Sequence, residues 1–207
     1  MGNNYDALGD YHKAISFHQH HLDIAKSIGD IRGEASSLGG LGNVHHALKD
    51  YQQALTYHQE HFKVAQSTGN LHLQGLALLN MGNAYEALGQ FSQAVNCYQQ
   101  NLEIAESIND FLGKAGSLLG FGIVLSKINQ DTEAINKLQK SLSIFKQIGS
   151  RYGEFEVFKQ LGKVYQKLGE SDLAHEYFSR GLSLAQELSI PEAQECQELI
   201  EEMSNSE

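Results

Sequence analysis

The chain has 207 residues, 19% of them charged, with Asp+Glu 25 against Lys+Arg 15 and a formal net charge of -10. That balance argues against a general nucleic-acid binder, whose affinity rests on neutralising phosphates with Lys and Arg. No membrane-spanning helix is expected either, because no apolar run approaches the roughly 20 residues of a span, and Met1-Gly2-Asn3-Asn4-Tyr5 does not read as a secretory leader.

Repetition organises what remains. Gly2, Gly42, Gly82, Gly122 and Gly162 are each 40 residues apart, and Ala14, Ala54, Ala94, Ala134 and Ala174 keep the same step. So do Leu8, Leu48, Leu88, Ile128 and Leu168. A fixed period of this size marks a repeat array that grows around one continuous core.

In chain order, residues 1–8 read as the cut-short first helix of a pair and 11–28 as its second helix. Four full units follow, at 31–68, 71–108, 111–148 and 151–188, each a first helix of about 18 residues, an inner turn and a second helix. Leu38, Leu41, His45 and Leu48 show the pattern, with apolar or aromatic side chains at steps of three and four. Gly29, Gly69 and Gly149, with Asn109 in the same place, tolerate the left-handed conformation that closes a helix. Asp30, Asn70, Asp110 and Ser150 follow directly and are expected to cap the next helix. Gly9, Gly89 and Gly169 make the inner turns, while Lys49 and Asn129 replace that glycine, the lysine at a cost of about 1 kcal/mol if left-handed. Residues 191–207 read as a Glu-rich capping helix and tail, with Pro191 in the first turn. The short first helix leaves two expectations: a piece of a longer array, or an open edge at Tyr11, Ile15 and Leu22 that favours self-association into a homo-oligomer. Cys97 and Cys196, far apart and without a CxxC, read as reduced apolar fillers of a cytoplasmic protein.

The residues inside the units select among repeat families. Leu41-Gly42, His45, Tyr51 and Ala54 form one set, Met81-Gly82, Tyr85, Phe91, Ala94 and Tyr98 another, and Leu161-Gly162, Tyr165, Ala174 and Phe178 a third. They resemble the Leu-Gly, Tyr, aromatic and Ala positions of the tetratricopeptide (TPR) repeat in its long, 40-residue form. That form is similar to bacterial and cyanobacterial multi-TPR proteins, to cell-polarity adaptors and to the TPR part of Rap-type peptide receptors. The resemblance covers residues 1–190 and implies an all-α, right-handed superhelical solenoid that binds a peptide or partner protein in its concave groove. Unit 111–148 departs from the pattern, with Ile123, Leu125 and Asp131 where Asn, Tyr and an aromatic are usual.

In TPR arrays the first helices line the groove. By the glycine register, the resemblance assigns to it Asn3, Ser36, Asn43, His46, Leu76, Leu79, Asn80, Asn83, Glu86, Leu119, Ile123, Lys127, Lys159, Lys163 and Lys167. Asn3, Asn43 and Asn83 form a ladder, and an amide both donates to and accepts from a peptide main chain. Lys159, Lys163 and Lys167 stand at i, i+4, i+8 with Lys127 one unit away, a positive stripe suited to an acidic segment. Gly39 and Gly40 leave room in the same helix face for a bulky ligand group.

Two other classes are weaker. His18 with His21 and His58 with His61 have helical spacing, but no carboxylate or cysteine stands three or four residues away to complete a metal site, and duplication generates such pairs unaided. No nucleophile motif, phosphate loop or carboxylate pair stands out, so neither catalysis nor a cofactor is expected. The rival readings are a regulatory peptide sensor and a self-associating assembly module.

Overall fold

The computed structural model describes residues 11–204, so the half helix over 1–8, with Asn3, lies outside the described residues. Among them are ten α-helices and no strand: α1 (Tyr11–Ile28), α2 (Ile31–Ala47), α3 (Tyr51–Ser67), α4 (Leu71–Ala87), α5 (Phe91–Ser107), α6 (Phe111–Lys127), α7 (Asp131–Gln147), α8 (Arg151–Lys167), α9 (Ser171–Leu188) and α10 (Ala193–Ser204). Pro191 precedes α10 by two residues, in a turn where its carbonyl accepts from the Gln194 amide at 3.2 Å.

Helix ends follow local chemistry. The side chains of Asp30, Asn70 and Asp110 accept from the amides of Gly33, Leu73 and Gly113 at 3.1, 3.1 and 2.9 Å, satisfying donors that no helical carbonyl reaches. Ser150 makes no such bond, whereas Asp50 caps α3 through the Gln53 amide at 3.3 Å. Every link between α1 and α9 turns on one left-handed residue, and Lys49 takes that role with φ 62° where α4–α5 uses Gly89 with φ 72°. A Cβ in that region crowds the following carbonyl at a cost of roughly 1–2 kcal/mol. Part of the gain from removing it is lost to the greater freedom of unfolded glycine. Lys49→Gly is therefore expected to stabilise the chain by about 0.5–1 kcal/mol, read as a higher urea midpoint at unchanged slope. A lower midpoint would disprove it.

Contacts divide the chain into two compact units, one ending at Gly113 and the other beginning at Lys114. In the N-terminal unit each helix packs on its chain neighbours, and α2 also meets α4. Leu22, Leu38 and Leu41 form a buried centre there, with Ile15, Tyr57 and Val64 against it. In the C-terminal unit Ala115, Leu138, Phe145, Val157, Leu161 and Val164 form one cluster. Phe155, Phe158, Leu184, Ala185 and Cys196 form a second, so α10 is held by a fully buried cysteine.

One contact recurs within each pair. Gly42 meets His58, Gly82 meets Tyr98, Gly122 meets Leu138 and Gly162 meets Phe178, always 16 residues on. The large side chain of the second helix lies across the backbone of the first, and a Cβ on Gly82 or Gly162 would stand 2.5 or 2.6 Å from its ring. Ala54, Ala94, Ala134 and Ala174 beside this contact are fully buried. The glycine and alanine rulers are thus the two small surfaces that let paired helices approach.

Candidate functional site

In the N-terminal unit, α2 and α4 border a cleft of about 170 Å³ lined by Asn43, His46, Ala47, His58, Asn80 and Asn83. Asn43 accepts from the Asn80 amide at 3.4 Å, and Asn83 accepts from the Tyr98 hydroxyl at 2.9 Å. His46 stacks edge-on against Tyr51 with ring centroids 5.1 Å apart. Burial holds its pKa below the ordinary histidine value, against the opposing field of Glu86. His58 is 1% exposed, and burial, reinforced by His61 and His46, draws its pKa down to about 3. The cleft is therefore polar yet uncharged at neutral pH.

The sequence register placed Asn43, His46, Asn80 and Asn83 on the groove, and these four share this cleft. It assigned neither His58 nor Tyr98, because both belong to second helices. The missing link is the glycine notch: with no Cβ on Gly42 or Gly82, each ring packs on the first helix, where the Tyr98 hydroxyl reaches Asn83 and His58 joins the cleft lining. The constant spacing of 16 residues between glycine and ring is the signal that could have found them.

In the C-terminal unit, Ile123, Ser126, Lys127, Leu138, Lys163, Val164 and Lys167 line a second cleft of about 320 Å³ between α6 and α8. Its apolar floor is Ile123, Leu138 and Val164, and its rim carries three of the lysines assigned to the groove. They are engaged internally. Lys167 donates to Asp131 at 2.9 Å and to the Ser126 carbonyl at 2.6 Å, and Lys163 pairs with Glu195 of α10 at 2.9 Å. Lys159 stands apart from this rim, at 8% exposure, paired with Glu156 at 3.2 Å and Glu195 at 3.5 Å, above the Phe155 ring. Burial works against its charge, but Glu156 and Glu195 outweigh that and hold its pKa above the usual lysine value. The acidic counterpart that the lysine stripe calls for is supplied in part by the chain's own α10. Asp131, which breaks the repeat pattern, serves as the partner of Lys167.

Other assigned positions scatter. Ser36 and Leu76 are exposed, Leu79 and Glu86 are half-buried, and Leu119 packs against the core cluster around Leu138. Gly40 leaves no room in the groove, because the ring of His18 already fills the space a Cβ would take. On α1, Leu22 belongs to the core, and the exposed apolar side chains are Phe17, Ile24 and Ile28. Among the described residues, no group of three or more His, Cys, Asp or Glu is arranged to hold a metal ion, and no helix is long and apolar enough to cross a membrane. His21 bonds Ser37 at 2.8 Å, and His61 is 2% exposed with neither ring nitrogen hydrogen-bonded. Cys97 is buried, which pushes its thiol up to about 11.

A family model for the tetratricopeptide repeat matches the chain four times, over residues 1–67, 33–107, 73–147 and 114–187. No curated protein matches the chain. Among solved structures, BtubC (BKLC) from P. vanneervenii superposes with a TM-score of 0.79 at 14% identity, over 94% of this chain and 83% of that one. A Rap protein complexed with competence and sporulation factor superposes with a TM-score of 0.82 at 16% identity, over 98% of this chain and 62% of that one. Aspartyl phosphate phosphatase F from Bacillus subtilis gives 0.81 at 17% identity, over 96% of this chain and 52% of that one. The chain thus spans 62% and 52% of the length of the latter two. Identities this low carry the fold alone, since one fold hosts many activities.

Proposed function

Because this chain belongs to the tetratricopeptide repeat family, we propose that it is a protein-interaction scaffold, binding a peptide or a partner's segment on the face made by the first helix of each pair. The observation that carries this reading is the clustering of register-assigned residues around clefts: Asn43, His46, Asn80 and Asn83 in one unit, Ile123, Lys127, Lys163 and Lys167 in the other. The two clefts differ in kind. The first offers amides and neutral imidazoles to main-chain or side-chain amides. The second offers lysines over an apolar floor, which suits an acidic stretch that also carries an apolar residue. There a partner carboxylate exchanges with Glu195 or Asp131, so selectivity and on-rate gain more than affinity does.

The test is capture from the native cell lysate on the immobilised chain, with bound proteins identified by mass spectrometry. Two double variants run alongside: Asn43→Ala with Asn80→Ala, which removes both members of one hydrogen bond, and Lys163→Glu with Lys167→Glu. Lys159 is left intact, because a carboxylate in its place would be buried between Glu156 and Glu195. The expected result is a defined set of proteins on the parent chain that at least one variant loses with its helical circular dichroism unchanged. Identical capture by all three chains would show that this face is not the binding surface. On this reading the chain alone has the mass of a monomer by light scattering at all concentrations. A mass rising with concentration favours instead self-association through Phe17, Ile24 and Ile28 of α1.

A further inference from the structure

The polar floor of the N-terminal cleft has a feature that packing does not explain. At this position of the second helix, two later units bury the rings of Tyr98 and Phe178 and one the aliphatic Leu138, whereas the first pair buries the imidazole of His18. His58 likewise buries an imidazole, and its Nδ1 has no hydrogen-bond partner. A buried nitrogen left unpaired costs stability that an apolar side chain of similar shape would not. Tyr98 in the next pair resolves the same problem by donating to Asn83. His58 has no such internal answer, and it lines an open cleft.

The groups that line the cleft with His58 define what it would accept. The Asn43 and Asn83 carbonyl oxygens already accept from Asn80 and Tyr98, and among the described residues no hydrogen bond takes up the amide N–H groups of Asn43 or Asn83. These are donors, while Asn80 Oδ1 and the lone pair of a neutral imidazole are acceptors. A ligand group must therefore carry both an acceptor and a donor. An ammonium brings donors only and an aliphatic chain brings neither. A carboxylate brings acceptors only and meets neutral imidazoles with Glu86 nearby. We infer that the cleft over Gly42 is a subsite for a side-chain carboxamide, an Asn or Gln of the bound segment, with His58 as the specificity-determining residue on its floor. This deepens the reading of the first-helix face as the partner surface, and it fails separately from it, since a scaffold can capture partners there without selecting a carboxamide.

The experiment titrates the full chain, labelled with 15N and 13C, with four small probes: N-acetyl-glutamine N-methylamide and the glutamate, lysine and leucine analogues. All four share the same backbone amides, so only the side chain differs. Capped glutamine is expected to shift the His58 ring and the Asn43 and Asn83 side-chain signals saturably at millimolar concentrations, with the other three shifting them at least roughly fivefold less. His58→Phe, which copies the residue at position 178, is expected to abolish the selectivity while the backbone spectrum stays folded. Should that variant not fold, Asn43→Ala at an exposed position is expected to weaken capped glutamine by roughly fivefold. Equal shifts from capped leucine would mean that the cleft binds backbone amides. Preference for capped lysine or glutamate would mean a charged ligand, and no shift at all would mean no subsite. Selectivity that survives in the folded variants would also overturn the inference.

Discussion

Lowering the pH from 7 to 4.5 is expected to remove about 2.5 kcal/mol of stability through His58 alone. The folded-state pKa of His58 is about 3, below the ordinary 6.5 that the unfolded chain restores. Well above pH 6.5 both states hold the imidazole neutral and nothing is lost. Below it the unfolded state takes up a proton that the folded state refuses, so stability falls with pH until the folded-state value is reached. His61, also lowered by burial and 2% exposed, acts in the same direction. Urea unfolding followed by circular dichroism at pH 7 and pH 4.5 measures the loss. The contribution of His58 is the difference between the parent chain and His58→Phe, because carboxylate titration is common to both. Equal losses in the two chains would show that His58 is not held neutral.

Phe178→Ala is expected to destabilise the fold by about 3–5 kcal/mol. The ring is fully buried and lies across Gly162, so truncation removes apolar contacts and leaves a cavity that the helix backbones cannot close. The same contact predicts a reversal of sign at the glycine. In the parent chain a Cβ on Gly162 would sit 2.6 Å from the Phe178 ring. Gly162→Ala is therefore expected to destabilise by about 1–3 kcal/mol, although alanine is the better helix former. In the Phe178→Ala background the clash is gone, and Gly162→Ala is expected to recover about 1 kcal/mol from propensity. A double-mutant cycle on denaturant midpoints reads this coupling, and additive effects would show that the two residues do not touch.

Sequence by itself determined the elements and their order. Glycine and alanine rulers, helix-closing Gly or Asn and the capping Asp or Asn act over a few residues of chain, and those interactions are local enough to be read without coordinates. The helix starting at Tyr51 and the cap at Asp30 follow from such chemistry, and the single misplaced start, at Ala193 instead of Pro191, lies where the chain leaves the repeat. The TPR resemblance, carried along the glycine register, assigned Asn43, His46, Asn80 and Asn83 to the groove, and these four line one cleft.

Tertiary structure alone decided which of those residues remain available and what reaches them from behind. The lysine stripe reads as free charge along one helix, but Glu195 approaches Lys163 from 32 residues away and Asp131 approaches Lys167 from 36. Gly40 reads as open space on the face, yet His18 fills it from the preceding helix. His58 and Tyr98 read as packing rings, yet across the glycine notches the Tyr98 hydroxyl donates to Asn83 and His58 lines the amide cleft. The physical reason is the same in each case. A side chain's exposure and protonation depend on groups far along the chain, and helical periodicity carries no information about those groups.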